Sequence, residues 1–125
     1  MEDDILKRLS HDVNGLQTYE YIANNIGAID DVIVDLARNM VAVDNTGQFV
    51  VSTARYLHAI DAERYSEAID VLIKAAIDKD RDHRYLPDLI AGIWGGDYQE
   101  RAQELSKSDD NFRRIYKRLY PSAGL

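Results

Sequence analysis

Apolar side chains recur every three or four residues along most of this chain, the spacing that gathers them on one face of a helix. The clearest case runs from Thr46 to Asp78 and predicts two apolar-faced helices joined by the polar elbow Ala62-Glu63-Arg64-Tyr65. The first spans about Gly47 to Asp61, with Phe49, Val50, Thr53, Ala54, Leu57 and Ile60 on its inward side. Ser66 is placed to cap the second, whose buried side carries Ala68, Ile69, Leu72, Ile73, Ala76 and Ile77. Alanines among the aliphatics of both faces permit close helix–helix approach.

The same period extends upstream. Leu6, Leu9, Val13, Leu16 and Ala23 form a stripe between Asp3 and Asn25, interrupted by Glu20 and softened at Asn14-Gly15. This fits one helix with a weak centre, or two short helices. Gly27 offers a C-terminal cap, and Asp30 or Asp31 caps a further helix carrying Ile33, Leu36, Ala37, Met40 and Val41. Residues 41–51 admit two readings. MVAVDNTGQFVVS fits a β-hairpin, with valines on both sides of an Asp-Asn-Thr-Gly turn. Helical spacing that continues well past Phe49 favours a helix-to-helix turn at 44–47 instead.

Downstream, Asp78 to Arg84 reads as a solvated charged loop. Pro87 suits the first turn of a short helix that holds Leu89, Ile90, Ile93 and Trp94 and stops at Gly95-Gly96. Asp97 and Glu100 have capping-box spacing before a helix with Ala102 and Leu105 inward. Ser108-Asp109-Asp110 opens a last helix through Phe112, Ile115, Tyr116 and Leu119, closed by Pro121. The sum is an all-α expectation: a compact multi-helix domain of six or seven helices, built from antiparallel helix hairpins. It spans 1–121, and 122–125 is a frayed tail.

Tyr65, Ala68, Leu72 and Ala75 follow one another at the spacing found in the second helix of a tetratricopeptide repeat, and residues 50–105 resemble that family. Gly96-Asp97-Tyr98 looks like the next elbow, 33 residues after Tyr65 and one short of the family's period. The sequence departs from the pattern at Tyr56, where a small residue is expected, at Asp80, where proline is expected, and at Arg101, where alanine is expected. The resemblance implies a scaffold that binds peptides or partner proteins, with no catalytic residues.

Composition narrows the function classes. The 125 residues suit one domain with a proper core. The absence of cysteine removes disulfides, thiol nucleophiles and cysteine metal sites. No apolar run reaches bilayer length, and the start MEDDILKRL is too acidic for a signal peptide, so a cytoplasmic location is expected. The net charge of −7 is uneven. Residues 1–100 hold nine Lys/Arg against nineteen Asp/Glu, and residues 101–125 hold six against three. An acidic body argues against direct nucleic-acid binding.

Few residue groups suggest chemistry. Asp78-x-Asp80-x-Asp82 opens like a calcium loop, but His83 stands where glycine is needed and Leu89 where the bidentate Glu belongs. His58 and Asp61 lie three apart on one helix, without a third partner for acid–base or metal work. Ser10-His11-Asp12 holds the residue types of a hydrolase triad, but neighbours on a helix point apart. The glycine-rich stretch around Trp94 and Tyr98 is the most distinctive: it fits first a helix-ending turn with Trp94 in the core, and if the chain has a partner groove these two residues are expected in it, since aromatics supply contact area at low entropic cost. The last helix sets Arg113, Arg114, Lys117 and Arg118 opposite its apolar side. These cations could meet a partner, or dock on the chain's own acidic body.

The expected function is a small non-catalytic interaction or adaptor domain whose partner is another protein or a second copy of itself. No cofactor, metal or membrane partner is expected. A second expectation is an acidic inhibitor that imitates nucleic acid, with Asp3, Asp4, Asp30, Asp31, Asp35 and Asp44 supplying part of its charge. An enzyme ranks last, because no nucleophile–base–orienter set can be assembled from spacing.

Overall fold

Each helix of this protein begins where a polar residue or a left-handed turn interrupts the apolar period. A computed structural model describes residues 3–123, and it is all-helical. Its α-helices are α1 (Asp3–Leu9), α2 (Leu16–Asn25), α3 (Ile33–Val43), α4 (Gln48–Asp61), α5 (Ser66–Lys79), α6 (Leu86–Trp94), α7 (Ala102–Ser108) and α8 (Asp110–Leu119). A 3-10 turn, Asp30–Val32, leads into α3. Among the described residues no helix is long and apolar enough to cross a membrane. Of the expected frayed tail, residues 124–125 lie outside the described residues.

The helices build two layers. α1 packs on α3 and α3 on α5; α2 packs on α4, α4 on α6 and α6 on α8. Neighbours in sequence close the layers on each other, most extensively α4 with α5, while α8 also rests on α5. One apolar cluster runs through the stack, with Leu36, Met40, Leu57, Leu72, Ile77, Leu89, Ile90 and Phe112 fully buried.

Among the described residues eight α-helices form rather than six or seven, because the stripe between Asp3 and Asn25 is broken in two. Gly15 adopts φ +103°, which no continuous helix admits. The buried Asp12 carboxylate then accepts the N–H groups of Asn14, Gly15 and Thr18 and the Thr18 hydroxyl, at 2.8–3.3 Å. The break rotates the stripe: Val13 and Leu16 are 81% and 43% exposed, and Thr18 and Ile22 face the core instead.

Burial works against ionisation of Asp12, but hydrogen bonds from Thr18, Gly15 and Asn14 outweigh it and hold the carboxyl below its ordinary 3.8. Ionised Asp12 therefore stabilises the fold above that pH, and the contribution disappears as pH falls through the lower folded value. Chemical unfolding of wild type and Asp12→Asn from about pH 5 to about pH 2 should show a steeper loss in the wild type.

The same device recurs at 44–47, where the helix-to-helix turn forms and not the hairpin. Asp44 is 1% exposed and accepts the N–H groups of Thr46, Gly47, Phe49 and Val50. Gly47 is again left-handed, at φ +94°. A third copy starts at Asp80, 2% exposed, which accepts from the N–H groups of Arg84, Tyr85 and Leu86. Here His83 takes the left-handed position, at φ +57°. The three loops stack: a Cβ on Gly15 would lie 3.3 Å from the Cβ of Asp44, and one on Gly47 would lie 3.5 Å from the Cβ of Asp80.

Other caps differ from the sequence expectation. Neither Asp30 nor Asp31 caps α3 by its side chain; Asp30 accepts from the Tyr65 hydroxyl at 2.7 Å and pairs with Arg64. The Ser66 side chain makes no cap bond, and α5 starts at Ser66 itself. Asp97 and Glu100 form no capping box, because 97–101 is a series of turns and α7 begins only at Ala102. Asp109 does cap α8, accepting from the Phe112 N–H at 3.2 Å.

Candidate functional site

Ser66, Ile69, Asp70 and Ile73 fall at helical spacing on α5, so they share one face. That face is only partly covered, because α8 meets α5 on one side and α6 ends at Trp94 on the other. The gap is a groove of about 390 Å³. Ile69, Ile73, Ile93 and Trp94 supply its apolar lining, while His58, Ser66, Asp70, Asp109 and Asn111 supply polar atoms. Apolar and polar groups share the lining about equally, and an aromatic side chain beside placed polar groups is a feature of binding sites.

Two hydrogen bonds fix its walls. The Trp94 Nε1–H donates to Asp109 Oδ2 at 2.9 Å, and the indole meets Phe112 edge-on at 5.4 Å between ring centres. Across the groove, Asn111 Nδ2 donates to Asp70 Oδ1 at 2.9 Å, and Lys74 Nζ lies 2.5 Å from Asp70 Oδ2. Burial raises the Asp70 carboxyl, but the Lys74 ammonium and the Asn111 amide outweigh it and hold the group below the usual carboxylate range.

The sequence-derived candidates are distributed unequally about this groove. Trp94 is in its wall. Tyr98 lies outside the groove lining, in an aromatic cluster with Tyr116, Tyr120 and the same Phe112 that the indole meets, its hydroxyl 2.7 Å from that of Tyr120. Burial and the Tyr120 hydroxyl push its phenol above the ordinary value. Three of the four α8 cations engage the chain's own groups. Arg113 pairs with Asp110, Arg114 lies 3.9 Å from Asp78, and Arg118 donates to the Ile77 carbonyl. Lys117 is exposed. Among the described residues, only Arg114 of the four reaches a carboxylate outside the last helix.

The remaining chemical groups are also occupied. Asp61 accepts from the Arg64 N–H at 3.0 Å in the elbow, while His58 faces the groove. His11 Nδ1 donates to the Lys7 carbonyl at 2.9 Å, whereas the Asp12 oxygens serve the following loop, so no triad forms. The Asp80 carboxylate caps α6, which removes it from a calcium loop. Ile69 and Ile73 are core residues, as their spacing predicts, and only their edges reach the groove. Sequence reading gives Ser66 and Asp109 roles as caps only and no role to Asp70 or Asn111; the legible signal was Ser66 and Asp70, polar residues flanking the buried stripe of α5.

No family model, no curated protein and no solved structure matches this chain.

Proposed function

We propose that this chain is a non-catalytic interaction module, a stack of antiparallel helix hairpins that receives a short segment of a protein partner beside Trp94. The observation that carries this reading is the groove itself, with a part-apolar lining, an indole held by Asp109 and two carboxylates at its edge. The net charge of −7 favours a segment that sets a lysine or arginine beside its apolar anchor and steers it inward, while Asp70 and Asp109 are held by Lys74, Asn111, Trp94 and the Phe112 N–H. The resemblance of residues 50–105 to tetratricopeptide repeats points to the same class of scaffold. The nucleic-acid mimic has less support. Asp44 is buried and Asp30 is engaged by Tyr65 and Arg64; the side chain of Asp3 lies outside the described residues.

Trp94 is the chain's single tryptophan, so its fluorescence reports on the groove directly. Displayed peptides that pair an apolar residue with a cation should bind saturably and shift the Trp94 emission; acidic analogues should not. Ser66→Arg, at an exposed lining position, should weaken binding by at least about tenfold, or roughly 1.4 kcal/mol, without lowering the melting temperature. Selected peptides that bind Ser66→Arg as well as wild type would remove the groove from the reading.

A further inference from the structure

A second, independent cavity lies at the other end of α4 and α5. It measures about 250 Å³ and is formed by the second and third capping loops, with Asn45, Thr46, Lys79, Arg81, Arg84 and Tyr85 in its lining. It shares no residue with the groove, whose last α5 residue, Ile73, lies six residues or about 9 Å of helix before Lys79.

Three cations meet here in a chain of net charge −7. Among the described residues none of the three has a carboxylate within ion-pair distance, whereas Arg64, Arg101, Arg113 and Arg114 each have one. Two carboxylates also line the cavity. Asp80 keeps its charge, but its oxygens are committed to three backbone N–H groups at 2.6–2.9 Å, at the N-terminus of α6, and it forms no ion pair with the cations. With the exposed Asp82, two carboxylates stand against three cations, so the lining keeps one net positive charge in an otherwise acidic chain. The Asn45 amide and the Tyr85 hydroxyl make no side-chain hydrogen bond among the described residues, so two further donors stand available.

We propose that this cavity binds a small phosphate-type oxyanion, held by the guanidinium forks of Arg81 and Arg84 and the ammonium of Lys79. Arginine suits this role because its planar fork matches a phosphate edge-on with two N–H groups. The volume lies below the roughly 300–1,000 Å³ of pockets for drug-sized ligands, which favours phosphate or pyrophosphate over a whole nucleotide. The proposal does not depend on the groove having a partner.

Calorimetric titration of inorganic pyrophosphate, and separately of orthophosphate, into the full chain at constant ionic strength tests it. Pyrophosphate should bind saturably at one site. The double variant Arg81→Gln/Arg84→Gln should bind it at least about tenfold more weakly, and Lys79→Gln should give a smaller loss of its own. Arg8→Gln/Arg38→Gln, which removes the same charge from exposed positions outside the cavity, should leave the affinity within about twofold. Melts without ligand should be unchanged, since Arg81 and Arg84 are exposed. Absence of saturable binding to wild type would overturn the site. So would equal weakening in the two double variants, which would reduce the effect to net charge.

Discussion

Asp44→Ala should lower the unfolding free energy by about 3 kcal/mol, with a drop in melting temperature of roughly 10 °C or more. The carboxylate accepts four backbone N–H groups at 2.8–3.0 Å and the Thr46 hydroxyl at 3.1 Å. Loss of a helix cap alone costs about 1 kcal/mol. Here the Gly47 and Val50 amides are buried as well, and each is left without its partner at a cost of about 1–3 kcal/mol, less whatever water recovers. Asp44→Asn keeps one acceptor oxygen and should retain part of the stability. Asn45→Ala, next in the chain but exposed, should change it by less than about 0.5 kcal/mol. Urea unfolding of the three variants checks the ordering; a near-neutral Asp44→Ala would show that water replaces the carboxylate and that the loop is not a keystone of the stack.

Gly15→Ala should be nearly as damaging, at about 3 kcal/mol, for a different reason. A Cβ there sits on a left-handed backbone, which costs about 1–2 kcal/mol. It also lies 2.7 Å from Met40 Sδ, 3.1 Å from Phe49 Cβ and 3.3 Å from Asp44 Cβ. The methionine tip can move aside, but the two Cβ atoms are anchored to α4 and its capping loop, so overpacking adds a further 1–3 kcal/mol. Gly47→Ala isolates the first contribution, because its φ is similar and its nearest contact is an ordinary 3.5 Å. It should cost about half as much. Equal losses for the two variants, measured by urea unfolding, would mean that the clash at Gly15 relaxes freely.

Much of this architecture is legible in the chain. The apolar period marks α3 to α6 and α8 closely, since burial on a helix face repeats with the helix and needs no distant partner to be seen. Asp12-Val-Asn-Gly15 and Asp44-Asn-Thr-Gly47 share a pattern, carboxylate then left-handed glycine, that announces two of the three capping loops. The third is hidden because histidine occupies the left-handed position at 83. Reading Val13 and Leu16 as core failed for the same local reason: the Gly15 break shifts the phase of the stripe, and period counting assumes a continuous helix.

The sites were less legible than the helices. Trp94 drew notice by its type alone, yet its companions in the groove come from residues 58 to 111, and no spacing rule links them. Whether the cations of α8 meet a partner or the chain itself stayed open because sequence carries no distances; packing on α5 brings Arg114 to Asp78 and Arg118 to the Ile77 carbonyl. Local periodicity and turn chemistry, properties of neighbouring residues, determined that this chain is helical and where most helices begin and end. Which faces stayed uncovered, which charges were neutralised and where the groove and the cationic cavity opened depended on how the helices pack, and only the tertiary structure decided them.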